Sequence, residues 1–214
     1  GVYIHSGPEQ AVASTKAFTS QIIALNMLNL YINKDPYYKM KVIEEIKKLP
    51  DQIKSLLENQ NIKPIAEKYR NAKYFLFMAR DINYPVAMEG ALKLKEISYM
   101  HSEGFAGGEM KHGPIALIDK NVLSICLNPK NKLYEKSSSN CEEILARGGK
   151  VVVFSSKKSS SKKNLLQIIM PKENYIDTPF IYTIPLQLIS YYFALNEGTD
   201  IDQPRNLAKS VTVE

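Results

Sequence analysis

Tyr74-Phe75-Leu76-Phe77-Met78-Ala79 is followed, after Arg80-Asp81-Ile82-Asn83, by Tyr84-Pro85-Val86-Ala87-Met88-Glu89-Gly90-Ala91-Leu92-Lys93-Leu94-Lys95-Glu96-Ile97-Ser98-Tyr99-Met100. Six apolar residues without a polar break suit a strand covered on both faces. Residues 84–100 then carry apolar side chains at helical spacing. A buried strand that runs into a helix is the repeating unit of a parallel sheet, and the same alternation continues downstream. Val122–Leu127 reads as a strand, Leu133–Ala146 as a helix stopped by Gly148-Gly149, Lys150–Phe154 as a strand and Ile168–Met170 as a short one. Pro179–Leu195 reads as an apolar helix with Pro185 inside it and Gly198 at its close. The expectation is an α/β fold of three layers, a parallel sheet flanked by helices on both faces.

Upstream, residues 11–33 read as one long helix that Ser14 or Thr15 can cap and Lys34-Asp35-Pro36 ends. Shorter amphipathic helices are expected at 37–47, 51–59 and 62–70, with Pro50 and Pro64 near their starts, where proline is tolerated. This gives a helical segment over 1–60, a sheet domain over 61–198 and an irregular tail over 199–214. The run Ser155–Asn164, SSKKSSSKKN, is low in complexity and reads as an exposed loop.

Composition narrows the function. A hydrophobic fraction of 44% with 23% charged residues is that of a globular domain, and no apolar run reaches the ~18–20 residues of a membrane span. No basic-then-apolar leader opens the chain, and two cysteines, Cys126 and Cys141, exclude a disulfide scaffold, so the expected compartment is a reducing cytoplasm. Residue 1 is not methionine, which suggests a piece of a longer protein. His5, His101 and His112 are too scattered for a metal site, so no metal and no cofactor is expected. The net charge of +6 raises nucleic acid as a partner. The lysines, however, gather at Lys39, Lys41, Lys47 and Lys48 on a helix and at Lys157, Lys158, Lys162 and Lys163 in the serine-rich loop, without interleaved aromatics. A solvated face and a solvated loop account for them, as does an anionic small molecule.

Three places carry chemistry. Glu89, Lys93 and Glu96 stand at i, i+4 and i+7, on one face of the helix. Such a trio is ordinarily a surface ion pair. Here the helix leaves the carboxyl end of a strand, the edge at which open α/β sheets bind ligands. Gly104–Pro114 holds four glycines, and Glu109, Lys111 and His112 crowd inside it. It reads as a loop able to approach a ligand, with His112 as a proton donor. In the tail, Leu207, Ala208 and Val211 break the polarity enough to pack and to desolvate Lys209, and a partly buried lysine can form an imine with a carbonyl substrate.

Residues 87–99, the stretch Gly108–Pro114, Val12–Thr19 (VASTKAFT) and the tail DQPRNLAKSVTVE together resemble the glutamine–fructose-6-phosphate aminotransferase (isomerising) family. The resemblance runs through the whole chain and covers only the later part of such an enzyme. It implies the end of a first sugar-isomerase (SIS) domain over 1–60, a second SIS domain over 61–198 and a catalytic tail. It implies a reaction in which fructose 6-phosphate and glutamine-derived ammonia become glucosamine 6-phosphate. Lys209 matches the lysine that forms an imine with the opened sugar, and Glu96 the carboxylate that moves a proton between C1 and C2. Lys93 sits beside Glu96, and Glu89 falls on a further acidic position. His112 matches a ring-opening histidine supplied by the neighbouring subunit of a homodimer. Val12, Ser14 and Ala208 match sugar contacts, and Arg205 a supporting position in the tail.

Departures from the family pattern are specific. Ala79-Arg80-Asp81 replaces Gly-Arg-Gly, and Ala11 stands where glycine is common. Neither the family's serine- and threonine-rich phosphate loop nor its N-terminal cysteine nucleophile is in these residues, so glutamine would enter only through a separate N-terminal domain. These residues alone are expected to bind fructose 6-phosphate poorly. Two other readings remain at this point: another SIS sugar-phosphate isomerase or deglycase, and a non-catalytic sugar-phosphate sensor. Neither nucleic acid nor membrane is expected as a partner.

Overall fold

The computed structural model describes residues 1–58 and 61–209. Five strands, β1 (Tyr74–Ala79), β2 (His101–Ala106), β3 (Val122–Leu127), β4 (Lys150–Ser155) and β5 (Leu165–Ile169), form one parallel sheet in the order β2-β1-β3-β4-β5. Among the described residues six α-helices accompany it: α1 (Lys16–Ile32), α2 (Pro36–Leu57), α3 (Lys63–Lys68), α4 (Tyr84–Ser98), α5 (Tyr134–Ala146) and α6 (Thr178–Glu197).

The side-chain period of two splits β1 between two cores. Phe75, Phe77 and Ala79 face the layer of α3, α4 and α6 together with Leu123, Ile125, Val152 and Phe154. Leu76 and Met78 face the α5 layer with Cys126, Val151, Val153 and Ile144. Phe75 meets Phe193 of α6 edge-on, with ring centroids 4.9 Å apart. Burying each phenyl ring contributes about 1.5–3 kcal/mol. The expected three-layer α/β architecture is present.

Several elements differ from the sequence reading. The first helix starts at Lys16, and neither Ser14 nor Thr15 caps it. Residues 11–15 are held off the helix because the Val12 N–H donates to the Asp202 carbonyl at 2.9 Å. The helices expected at 37–47 and 51–59 are one helix of 22 residues, α2, with Pro50 inside it; residue 59 lies outside the described residues. Pro50 removes one backbone donor, yet Val42, Leu49 and Leu56 stay buried along that helix and hold it continuous. Asp35 caps its start, accepting from the Tyr37 N–H at 2.9 Å. Pro64 does sit at the start of α3.

The largest difference is β2. The sequence HSEGFA shows no apolar run, because an edge strand buries only part of itself, here chiefly Ser102 and Phe105. Gly104, expected in a loop, is a strand residue: a Cβ there would lie 2.7 Å from the Met88 Cα. Only glycine lets β2 lie this close to α4. Asp81, where the family pattern has glycine, adopts φ +56°, and Asp tolerates this left-handed region better than most residues. The chain thus makes this turn with Asp81 in place of a glycine. Gly198 closes α6 at φ +68°, as expected. Among the described residues no helix is long and apolar enough to cross a membrane.

Candidate active site

α4 runs antiparallel to the strands, so only its first turn lies at their carboxyl edge. Glu96 stands in its last turn, at the amino-terminal edge of the sheet, which differs from the placement inferred from the helix start. Tyr99 ends the helix in a left-handed conformation and the chain turns into β2.

Burial removes Glu89, Lys93 and Glu96 from the class of surface pairs. Lys93 is 3% exposed, and the side chain of Glu89 only 10%. The Lys93 ammonium donates to Glu96 Oε2 at 2.5 Å and stands 3.7 Å from Glu89 Oε1, an ion pair too long for a hydrogen bond. Glu89 Oε1 has no hydrogen-bond partner among the described residues. Burial raises the Glu89 carboxyl from 4.5 to about 7; the Lys93 charge opposes this and the Glu96 charge adds to it. One lysine thus serves two carboxylates unequally: it clamps Glu96 and leaves Glu89 able to exchange a proton near neutrality.

The tail returns to the same end. After α6, the Thr199 hydroxyl donates to the Ile97 carbonyl at 2.5 Å. The Asp200 carboxylate accepts from the N–H groups of Asp202 and Gln203. The Arg205 guanidinium lies over the Tyr99 ring, 4.2 Å from its centroid, and the Arg205 N–H donates to the Tyr99 hydroxyl at 2.8 Å. The Lys209 ammonium then reaches the N-terminal segment, donating to the carbonyls of Ala11 at 3.2 Å and Val12 at 3.1 Å and pairing with Glu9 Oε2 at 2.5 Å. The Lys209 and Ser14 side chains both hydrogen-bond Glu9, with Lys209 the larger influence in holding the Glu9 carboxyl below its ordinary value.

Lys209 is not desolvated in this arrangement: its side chain is 45% exposed. Leu207 is 42% exposed rather than packed, Ala208 is exposed, and Val211 lies outside the described residues. Glu9 shows no signal in the sequence, as a single carboxylate after Gly7-Pro8 that only the folded tail gives a partner.

The Glu109, Lys111 and His112 crowd resolves differently. Lys111 turns to Glu143 of α5, 3.1 Å away. His112 ends a short 3₁₀ turn, exposed, beside the buried Met110 of the α5-side core. Its neighbours Met110 and Lys111 thus pack on the α5 side of the sheet, whereas α4, which carries Glu96, packs on the other. Arg80 anchors this segment, donating to the Gly107 carbonyl at 3.0 Å and to Asn140 Oδ1 at 2.7 Å. The sequence reading met Arg80 only as part of a departure from the family pattern. Among the described residues no group of three His, Cys, Asp or Glu could hold a metal.

A family model described as "SIS domain" matches residues 68–197. The glutamine–fructose-6-phosphate aminotransferase (isomerizing) of Aquifex aeolicus is 46% identical over 215 residues, covering 100% of this chain and 36% of that protein. Its counterpart in Thermus thermophilus is 44% identical over 221 residues, covering 100% and 37%. The chain thus spans about a third of the length of the curated relatives it matches. Among solved structures, the C-terminal domain of glucosamine-fructose-6-phosphate aminotransferase from Francisella tularensis matches with a TM-score of 0.88 at 40% identity, covering 92% of this chain and 58% of that one. A tagatose-6-phosphate ketose/aldose isomerase from Escherichia coli matches with a TM-score of 0.70 at 15% identity, covering 88% and 52%, a likeness of fold alone.

Proposed function

The chain belongs to the SIS domain family, and from that premise we propose that it is the isomerase portion of an enzyme converting fructose 6-phosphate and glutamine-derived ammonia into glucosamine 6-phosphate. The observation that carries this reading is the return of the tail, which seats the Lys209 amine 3.1 Å from the Val12 carbonyl and beside Glu9. In this reading residues 1–60 close a first SIS domain, 61–198 form a second and 199–214 are the catalytic tail.

The chemistry follows from the donors and acceptors. Lys209 forms an imine with the opened sugar, expelling water and leaving nitrogen as the electron sink for proton removal at carbon. Before substrate arrives, Glu9 and two carbonyls orient the amine. Glu96 carries the proton between C1 and C2, with Lys93 fixing its position, and Glu89 is the acid in reserve. Val12, Ser14 and Ala208 contact the sugar, and Arg205 locks the tail onto Tyr99. His112 of the neighbouring subunit assists ring opening, which makes the working form a homodimer. The setting is cytoplasmic, glutamine is handled by a separate domain, and the reaction needs no metal.

The test is glucosamine 6-phosphate formation by the intact protein, from fructose 6-phosphate with glutamine or with ammonia. Wild type is expected to form product and Lys209→Ala to fall to background with both nitrogen sources. Product from ammonia alone keeps the isomerase assignment. A Lys209→Ala variant at the wild-type rate overturns it, as does sugar phosphate bound without product from either source.

A further inference from the structure

Parallel strands are ordinarily joined by a crossover of a dozen or more residues, most often a helix. Residues 156–164 join β4 to β5 in nine residues with no helix, as the lysine- and serine-rich loop the sequence singled out. The sheet face beside α5 is therefore roofed by a polar loop, and a cleft of about 260 Å³ lies beneath it. We propose that this cleft is a second small-molecule site, distinct from the Lys209 end, and that it takes a phosphate monoester of a small polyol.

Its inner end is built from a buried amide. Asn128, 2% exposed, follows β3 and is fixed there by its N–H, which donates to the Phe154 carbonyl at 2.9 Å. Its Nδ2 donates to the Ser138 hydroxyl at 2.9 Å, and its Oδ1, fully buried, has no partner among the described residues. A buried amide atom without a partner is costly. Turned by half a rotation, the same amide offers a donor in place of the acceptor. Ser138, half-buried beside this amide and lining the cleft, accepts from it and has its hydroxyl proton free to donate to a hydroxyl or phosphate oxygen there.

The mouth supplies the charge. Lys157, Lys158 and Lys162 stand there against two carboxylates, Glu135 and Glu142. Lys157 pairs with Glu135 at 3.0 Å and is also held over the Tyr134 ring, 4.2 Å from its centroid; Lys162 pairs with Glu142 at 2.6 Å. Both carboxylates are largely exposed, and exposed pairs contribute little, so a doubly charged phosphate can replace them. Lys158 has no ion-pair partner among the described residues, which leaves a surplus of one ammonium. Between mouth and amide, Val153 and Leu165 give an apolar floor for a carbon skeleton. The volume lies just below the ~300–1,000 Å³ of pockets for drug-sized ligands, so the occupant is small.

The test uses the intact protein and sn-glycerol 3-phosphate. Equilibrium dialysis of labelled compound at millimolar concentration is expected to show one site per chain that the Lys158→Ala/Lys162→Ala double variant lacks. Lys157, whose side chain is 45% exposed and lines the cleft, localises the site. Its reductive methylation, followed on its own peptide, should slow several-fold with glycerol 3-phosphate and stay unchanged with glycerol or in the double variant. Absence of binding in wild type, equal binding by the double variant, or equal protection by glycerol overturns the proposal. Lys209 and Glu96 lie at the other edge of the sheet, so either outcome leaves the amino-sugar reading standing.

Discussion

Replacing Glu89 with Gln tests whether burial really governs the α4 cluster. The folded chain raises this carboxyl from 4.5 to about 7, so it favours the protonated, neutral form. Between those values the native state binds more protons than the unfolded state, and stability falls as pH rises. The contribution is fully present below 4.5 and is lost as pH climbs through about 7. At 1.36 kcal/mol per unit the ceiling is about 3 kcal/mol, and the tenth of the side chain that meets water reduces it, giving about 1–3 kcal/mol. Glu89→Gln keeps the shape of the neutral acid and removes the titration. Urea unfolding at a series of pH values should then show the two proteins equally stable near pH 4 and the variant more stable by that amount at pH 8. Superimposable profiles, or a wild-type advantage that grows toward pH 8, would refute the argument and place Glu89 in a wetter or better paired site.

Gly104→Ala should cost about 1–3 kcal/mol, read as a lowered denaturant midpoint with unchanged slope, because its Cβ meets the backbone of Met88 at 2.7 Å. If the working site draws His112 from a second copy, His112→Ala and Lys209→Ala proteins, each inactive alone, should regain about a quarter of wild-type activity when subunits of the intact protein exchange in equal amounts. Mixtures that stay inactive despite exchange would count against a shared site.

The central strands were legible because burial on both faces leaves one composition. Residues 74–79 and 122–127 were read at their observed bounds, and Gly198 marked the end of α6 through its left-handed φ. What escaped depends on contacts distant in sequence. β2 is an edge strand whose polar residues follow no strand period, and its glycine answers to α4 rather than to a turn. Pro50 looked like a helix boundary because proline costs a backbone bond, and only packing along α2 outweighs that cost. In the site, the trio on α4 was readable from spacing alone. Its burial was not, since the fold decides which helix face is covered. Glu9 and Arg80 were unreadable as single charges whose partners lie 200 and 60 residues away.

The layer order also bears on how many copies the chemistry needs. Glu96, Lys93 and the docked tail belong to the layer of α4 and α6, whereas Met110 ties His112 to the layer of α5. Between them stands the sheet, and each packed layer is roughly 8–10 Å deep. In the proposed reading a sugar phosphate at Lys209 would lie on the α4 side of the sheet, whereas the segment that carries His112 packs on the α5 side, so an imidazole from a second copy is the one this reading invokes. Beside Glu89, Met88 and Leu92 remain 48% and 42% exposed on the outer face of α4 and line a groove of about 440 Å³ with Phe18. In the proposed homodimer this apolar flank is the surface that a second copy would cover while bringing its own His112. A single chain would then hold the carboxylates and the amine, with the ring-opening acid added by assembly, so that dilution below the dimerisation range would remove ring opening before it removed sugar binding.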